Sequence, residues 1–135
     1  RRGAQLDLTP CPGSRYKKIM VKAEMEGNIL VIQVEEQRVD MVIARRFREM
    51  LAEQIKEHPR QIILDLTRAS YFDSSALGAL VAFLKEIRAY GGHLVLCNLS
   101  RSLLALLKLS KLDLLFDIKG SIEEAKSYMK SSVTG

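Results

Sequence analysis

The chain has 135 residues, of which 47% are hydrophobic and 27% charged, and its formal net charge is +5. This length predicts one domain with a core of its own, and no apolar run approaches the roughly 20 residues of a membrane span, so we expect none. Two cysteines, Cys11 and Cys97, do not make a disulfide framework, which favours a cytoplasmic protein.

The excess positive charge is concentrated in residues 1–22, which hold six basic residues and one acidic residue. The rest of the chain has 15 basic and 15 acidic residues, so no basic face organises it and we expect no direct nucleic-acid partner. Residues 1–18 lack periodicity and contain Pro10 and Pro12, which predicts a flexible arm or linker. We expect a folded domain over residues 19–130 and a disordered tail over 131–135.

The first elements are predicted to form a β-hairpin and a helix. Residues 19–25 and 29–34 alternate between apolar and polar side chains, with a turn signal at Gly27. After a polar loop, Asp40 stands where a helix N-cap is expected. Apolar residues then recur at helical spacing, namely Ile43, Phe47, Met50, Leu51 and Ile55, and Pro59 ends the helix.

Residues 61–66 form a nearly continuous apolar run, which is typical of a central strand covered on both faces. A short loop with Asp73 and Ser74 follows and opens into a long helix that ends at Gly91-Gly92. The side chains predicted to face the sheet from this helix are Leu77, Leu80, Val81, Leu84 and Ile87.

Residues 93–98 are predicted to form the next strand, and either Ser100 or Asn98 to cap a helix over residues 102–109. This helix is rich in leucine. Core packing explains most of these leucines, but the surplus apolar surface also favours a partner or a homodimer.

Residues 114–118 are predicted to form a short last strand. Ser121 and Glu124 have the spacing of a capping box, which predicts a final helix to about Met129. Strands that alternate with helices in this way predict an α/β fold. We expect a mixed, mostly parallel sheet of about five strands with about four helices, in which only the N-terminal hairpin pairs antiparallel.

Asp73 and Ser74 leave two interpretations open. Both residue types cap helices, and capping alone explains them. The same position places a serine hydroxyl at a helix N-terminus, where a phosphate is stabilised by free N–H groups and the helix dipole. Ser75 is the second candidate for a phosphate acceptor.

The sequence gives little support to an enzyme. Asp65 and Asp73 both lie near this loop, but no histidine or lysine in the local sequence completes a catalytic constellation. His58 and His93 are not at metal-ligand spacing with a cysteine or a carboxylate pair. We therefore expect no catalytic residue, no metal and no cofactor.

Three segments together resemble the STAS domain, and most closely the bacterial anti-sigma factor antagonists. They are Ile62-Ile63-Leu64-Asp65-Leu66, Phe72-Asp73-Ser74-Ser75-Ala76-Leu77-Gly78, and Gly91-Gly92-His93-Leu94-Val95-Leu96-Cys97-Asn98. The resemblance covers about residues 20–129 and implies a STAS-like fold. Its most specific part is the Asp73-Ser74-Ser75 loop.

The resemblance implies a switch. An anti-sigma factor serine kinase phosphorylates the serine after the aspartate, which is Ser74, and a phosphatase restores it. In the unphosphorylated form, the antagonist binds the anti-sigma factor and releases the sigma factor. Asp40 matches an acidic position that the family uses in partner contact. The expected partner surface comprises the loop with Asp73 and Ser74, together with the outer side of the helix that follows it. Its residues are Asp40, Asp73, Ser74, Ser75, Ala76, Ala79 and Phe83.

Two positions depart from the family pattern. Ala76 stands where a glycine is usual, and we expect its methyl group to obstruct the close approach of a kinase. In the loop before Asp40, Glu36, Gln37 and Arg38 stand where the family commonly has a glycine. This loop normally lies beside the phosphoserine loop, so the difference affects which partner is expected. The same fold also serves as a regulatory domain of anion transporters, in phospholipid transport systems and in sensory scaffolds, which are the alternative functions.

Overall fold

The computed structural model describes the backbone of residues 21–133 and the side chains of residues 21–130. The predicted arm over residues 1–18, with Cys11, and residues 134–135 lie outside them. The described strands are β1 Val21–Glu26, β2 Ile29–Val34, β3 Arg38–Val39, β4 Gln61–Asp65, β5 Tyr71–Phe72, β6 His93–Cys97 and β7 Asp117–Lys119. The helices are α1 Ala44–Gln54, α2 Ser74–Ala89, α3 Arg101–Leu109 and α4 Ile122–Val133, with a 3-10 turn at Leu112–Leu114.

The main sheet has five strands in the order β1-β2-β4-β6-β7. Strands β1 and β2 pair antiparallel, and the other neighbours pair parallel. The predicted mixed, mostly parallel sheet is therefore confirmed. The carboxyl ends of β2, β4 and β6 lie at one edge of the sheet, and the loop before α2 starts from this edge.

The helices cover the sheet on both faces. Helices α1, α2 and α3 pack on one face over a large core that includes Phe47, Leu80 and Leu103. Helix α4 covers the other face with Ala125 and Met129. The apolar run of β4 follows from this arrangement, because its side chains alternate between two buried faces.

A second, very small sheet was not predicted. Strands β3 and β5 pair parallel, with Arg38 opposite Tyr71 and Val39 opposite Phe72. Val39 and Phe72 are fully buried. Both strands fall in segments assigned to loops from the sequence, because two residues are too few to show a periodicity.

The first predicted helix boundary is wrong. Asp40 is not the N-cap of α1, because residues 41–43 first form a turn and the helix begins at Ala44. The Asp40 carbonyl accepts hydrogen bonds from the N–H groups of Ile43 and Ala44, at 3.1 and 2.9 Å. Its carboxylate accepts from Val42 at 3.0 Å, so Asp40 caps the turn instead of the helix.

Two predictions near the C-terminus also need correction. Strand β7 begins at Asp117, three residues late, because the 3-10 turn at Leu112–Leu114 comes first. Helix α4 continues beyond Met129 to Val133. Residues 131–133 are therefore helical, and not part of the predicted disordered tail.

Helix α1 ends at Gln54, three or four residues before the end at Glu57 or His58 that Pro59 predicts, because residues 55–57 form a turn. The other helix ends agree with their sequence signals. The Ser100 hydroxyl caps α3, and Ser121 accepts from the N–H of Glu124 at 3.2 Å. Helix α2 ends at Ala89 with Tyr90 as its C-cap, and Gly91 follows with a left-handed φ of +85°, which suits glycine. The N–H of Gly92 reaches back to the carbonyl of Ile87 at 2.9 Å, which completes the turn that closes the helix.

Candidate functional site

Asp73 is the N-cap of α2. Its backbone is extended, and its Oδ1 accepts a hydrogen bond from the N–H of Ala76 at 3.0 Å. Ser74 is consequently the first helical residue and not the cap. Ser74 and Ser75 are both exposed. The cap prediction is confirmed for Asp73 alone, so Ser74 has a hydroxyl that the helix start does not use.

The second oxygen of Asp73 makes a contact that the sequence did not predict. Oδ2 accepts from the N–H of Met41 at 2.8 Å, across 32 positions of the chain. The N–H of Asp73 donates to the carbonyl of Val39 at 3.2 Å. These bonds place the turn that Asp40 caps directly beside the Ser74 loop.

The loop that leads to Asp73 is held by the same neighbours. The carbonyl of Gln37 accepts from the N–H groups of Ser70 and Tyr71, at 2.8 and 3.2 Å. The Ser102 hydroxyl donates to the carbonyl of Ser70 at 3.1 Å. Together with the β3–β5 pair, these bonds fix the direction from which α2 begins.

Among the described residues, no protein acceptor receives a hydrogen bond from the N–H groups of Ser74 and Ser75. Such N–H groups at a helix start, with the positive end of the helix dipole, favour a negative charge. The Asp73 carboxylate already neutralises part of the positive potential at this helix start. The helix start therefore remains open to an additional anion on the exposed side, where both serines lie.

Asp65 supports the loop from beneath, at the carboxyl end of β4. It is the buried charged residue of the described chain, with 5% of its surface exposed. Its carboxylate accepts from the backbone and hydroxyl of Thr67, from Asn98 and from Gln33. Burial alone raises the pKa of Asp65, but these hydrogen bonds outweigh burial and hold the pKa below its ordinary value. A fully bonded carboxylate of this kind ties three strand ends together.

An open groove of about 470 Å³ runs along the exposed side of α2. Its walls come from α2 and from the segment after α3, and they comprise Ser74, Leu77, Gly78, Val81, Ala82, Lys85, Ser110 and Leu112. Ser74, Gly78, Ala82 and Lys85 share one helical face by their spacing. Ser74 lies at one end of this groove, and Ser75 does not line it.

Gly78 is exposed, and a Cβ atom added to it would meet no atom within 4 Å. Internal packing therefore does not require a glycine here. A glycine within a helix lowers stability by roughly 0.5–1 kcal/mol relative to alanine. The space above Gly78 is open, and without a side chain there another molecule can approach the helix backbone closely.

Part of the predicted partner surface is wrong. Ala76, Ala79 and Phe83 are buried, with at most 4% of their surface exposed, and they face the main core. They lie on the inner side of α2, so the Ala76 methyl group does not obstruct an approach to Ser74. On the groove side of α2, Gly78 and Lys85 are exposed and Val81 and Ala82 are half-buried. Val81 also packs against the main core, as its predicted position facing the sheet requires.

The other polar candidates do not form a second site. His58 packs on Tyr90, with ring centroids 4.5 Å apart, and His93 contacts Asp117 at 2.6 Å. In the described part of the chain, no three metal-ligating side chains come together. Burial raises the pKa of Cys97 to about 12, so its thiol stays protonated. Within the same residues, no helix has the length and apolar character to cross a membrane.

A model of the STAS domain family matches residues 20–125. Among curated proteins, BtrV of Bordetella bronchiseptica, which is named as an anti-sigma factor antagonist, is 28% identical over 95 residues. The match covers 70% of this chain and 82% of BtrV.

Three solved structures share the fold. An anti-sigma-factor antagonist domain protein of Planctomyces limnophilus has a TM-score of 0.75 and 20% identity, over 82% of this chain and 97% of its own. The cell fate determinant SpoIIAA of Bacillus, in its phosphorylated form, has a TM-score of 0.60 and 23% identity, and the match covers 81% of this chain and 98% of that protein. A sulfate transporter family protein of Wolinella succinogenes has a TM-score of 0.65 and 22% identity, and the match covers 93% of this chain and 100% of that protein. At these identities the structural likeness establishes the fold alone.

Proposed function

Because the chain belongs to the STAS domain family, we propose that it is an anti-sigma factor antagonist which phosphorylation of Ser74 switches off. Its relatives include a protein described as such an antagonist, and the likeness to BtrV extends over most of both chains. The unphosphorylated protein binds an anti-sigma factor serine kinase in the cytoplasm and releases the sigma factor. A phosphatase removes the phosphate and restores the unphosphorylated form that binds the kinase. In this mechanism the chain itself is not an enzyme.

The observation that carries the proposal is the position of Ser74. Its hydroxyl is exposed at the first residue of α2, next to N–H groups that have no acceptor in the described chain. A phosphate there adds roughly −1.5 to −2 charges at neutral pH. The helix start stabilises these charges. We therefore expect phosphorylation to leave the domain folded.

The switch then acts at the partner surface. A dianion on Ser74 lies beside the carboxylates of Asp73 and Asp40, at the end of the groove along α2. A partner that fits the neutral serine would have to bury this charge, and the desolvation opposes binding. The proposed contacts are Ser74, Ser75 and Asp40, with Gly78 and Lys85 in place of the buried Ala79 and Phe83.

The test is phosphorylation by the anti-sigma factor kinases of the source genome, each purified and incubated with this protein and ATP. Mass spectrometry of the phosphopeptide should place the phosphate on Ser74. Ser74→Ala should abolish it, and Ser127→Ala, an exposed serine on α4, should not. Because Asp73 makes the capping bond, Ser74→Ala should change the free energy of unfolding by no more than about 0.5 kcal/mol.

Binding provides the second measurement. Ser74→Asp should weaken the complex with the same kinase by about tenfold or more, whereas Ser74→Ala should bind like the unmodified protein. Phosphate on Ser75 would move the site by one residue. If no kinase modifies either serine, the proposed switch is wrong.

The second candidate function is regulation of an anion transporter, and the shared fold with the Wolinella succinogenes protein favours it. This function needs no phosphate on Ser74. Tight binding to a transporter subunit, with no phosphorylation of Ser74 or Ser75, would select it.

A further inference from the structure

The turn over residues 40–43 exposes two apolar side chains beside Ser74. Met41 is 71% exposed and Val42 is 82% exposed. Single exposed apolar residues are common on protein surfaces and need no explanation by themselves. These two are adjacent in the chain and lie on a turn whose backbone is hydrogen-bonded to the Ser74 loop.

Hydrogen bonds hold the backbone of the turn, because the N–H groups of residues 41–43 all have acceptors within the fold. Met41 donates to Asp73 at 2.8 Å, Val42 to the Asp40 carboxylate at 3.0 Å, and Ile43 to the Asp40 carbonyl at 3.1 Å. Ile43 packs against the main core. The backbone that presents the exposed Met41 and Val42 side chains therefore does not have to be ordered on binding.

The position of the turn indicates which kind of partner covers it. The Met41 backbone is hydrogen-bonded to Asp73, the residue immediately before Ser74. A specific protein complex covers about 800 Å² on each partner. A kinase that brings its catalytic groups to the Ser74 hydroxyl therefore covers Met41 and Val42 as well.

The charges around the turn specify the chemistry of that surface. Asp40 and Asp73 direct their carboxylates into the turn. Arg38 lies 4.0 Å from Asp40, and its guanidinium stacks 4.6 Å from the Tyr71 ring centroid. A complementary surface has an apolar cleft, with a basic group beside it that faces the two carboxylates.

We infer that Met41 and Val42 form an apolar anchor that enters a cleft on the kinase which phosphorylates Ser74, and that this anchor selects among kinases. The inference rests on the proposed function. It adds two residues, neither of which is phosphorylated, that determine which kinase binds.

The test replaces the anchor by polar side chains of similar shape, in the double variant Met41→Gln/Val42→Thr. The matched control is Met25→Gln. Met25 is 55% exposed on the edge strand β1, at the end of the sheet away from Ser74. Each protein is assayed with the purified anti-sigma factor kinases of the source genome and ATP, for binding and for phosphorylation of Ser74.

The double variant should lose roughly tenfold or more in affinity for the kinase that binds the parent best. KM should rise in parallel, with kcat nearly unchanged, because the anchor does not touch the reacting atoms. The conservative double variant Met41→Leu/Val42→Ile should restore most of the affinity, which a role in folding alone would not predict. Met25→Gln should bind like the parent.

Three outcomes would overturn the inference, and they are distinguishable. If the parent is phosphorylated on Ser74 and the double variant is phosphorylated with the same KM, the anchor is wrong and the proposed function stands. If the parent is phosphorylated by no kinase, the proposed function fails and the inference fails with it. If the parent is a dimer by sedimentation and the double variant a monomer, the turn binds a second copy of the chain instead of a kinase.

Discussion

Helices α2 and α4 begin in similar ways and have different surroundings. At α4, Ser121 accepts from Glu124, and the Glu124 carboxylate accepts from Gly120, so every bond is local. At α2, Asp73 also accepts from the residue three positions later, but its second oxygen binds Met41, 32 positions away. A cap therefore identifies the start of a helix. The long-range bond shows that the start of α2, unlike that of α4, is joined to another loop, and the two loops together form one surface.

The two helix starts also differ in their support. Strand β4, from which the chain continues towards α2, ends in Asp65, whose carboxylate binds side chains from β2 and from the residue after β6. Among the described residues, the start of α4 has no comparable buried carboxylate beneath it. The α2 start is therefore part of the tertiary structure, whereas the α4 start depends mainly on its own sequence.

The largest expected effect comes from Asp65→Ala, which should lower the free energy of unfolding by about 3 kcal/mol because several buried donors lose their acceptor. The matched control Glu123→Gln removes an exposed carboxylate at the start of α4 and should change it by less than about 0.5 kcal/mol. Urea unfolding at neutral pH measures both. Equal effects would show that Asp65 does not support the α2 start.

The same variant has a pH signature. The pKa of Asp65 is below its ordinary value in the folded protein, so its stabilisation is present above the ordinary carboxyl pKa. It is lost as the pH falls through the lower pKa of the folded state. The difference in stability between the parent and Asp65→Ala should therefore shrink below about pH 4. A constant difference would contradict the assignment of this charge.

A smaller effect distinguishes the two caps directly. Asp73→Ala should lower the free energy of unfolding by about 2 kcal/mol, and Ser121→Ala by about 1 kcal/mol, since only Asp73 also binds a second loop. Amide hydrogen exchange identifies the cause. Asp73→Ala should accelerate exchange at both Ala76 and Met41, whereas Ser121→Ala should accelerate it at Glu124. Unchanged protection at Met41 would mean that Asp73 acts only as a local cap.

The smallest effect has the opposite sign. Gly78→Ala should raise the free energy of unfolding by roughly 0.5–1 kcal/mol, because alanine is the better helix former and the added methyl group meets no atom. Ala105→Gly, at an exposed position of α3, should lower it by a similar amount. Thermal unfolding measures both changes. A larger side chain, as in Gly78→Leu, should fill the groove and weaken kinase binding without unfolding the domain. Unaltered binding would exclude this face of α2 from the interface.

Several features were determined by the sequence alone. The apolar run over residues 61–66 required a strand buried on both faces, whatever covers it. Asp73 and Ser121 identified two helix starts, because a cap and the helix it begins are neighbours in the chain. The order of strands and helices then limited the architecture to a mostly parallel sheet, since parallel neighbours need long crossovers.

The composition of the proposed partner surface was decided by the tertiary structure. Helix α2 has apolar residues on more than one side, so periodicity did not show that Ala79 and Phe83 face inward; the positions of the sheet and of α1 did. The bond from Asp73 to Met41 was equally invisible, because hydrogen bonds between distant residues leave no periodic pattern. Local sequence identified where α2 and α4 begin, but only packing determined which loop lies beside α2.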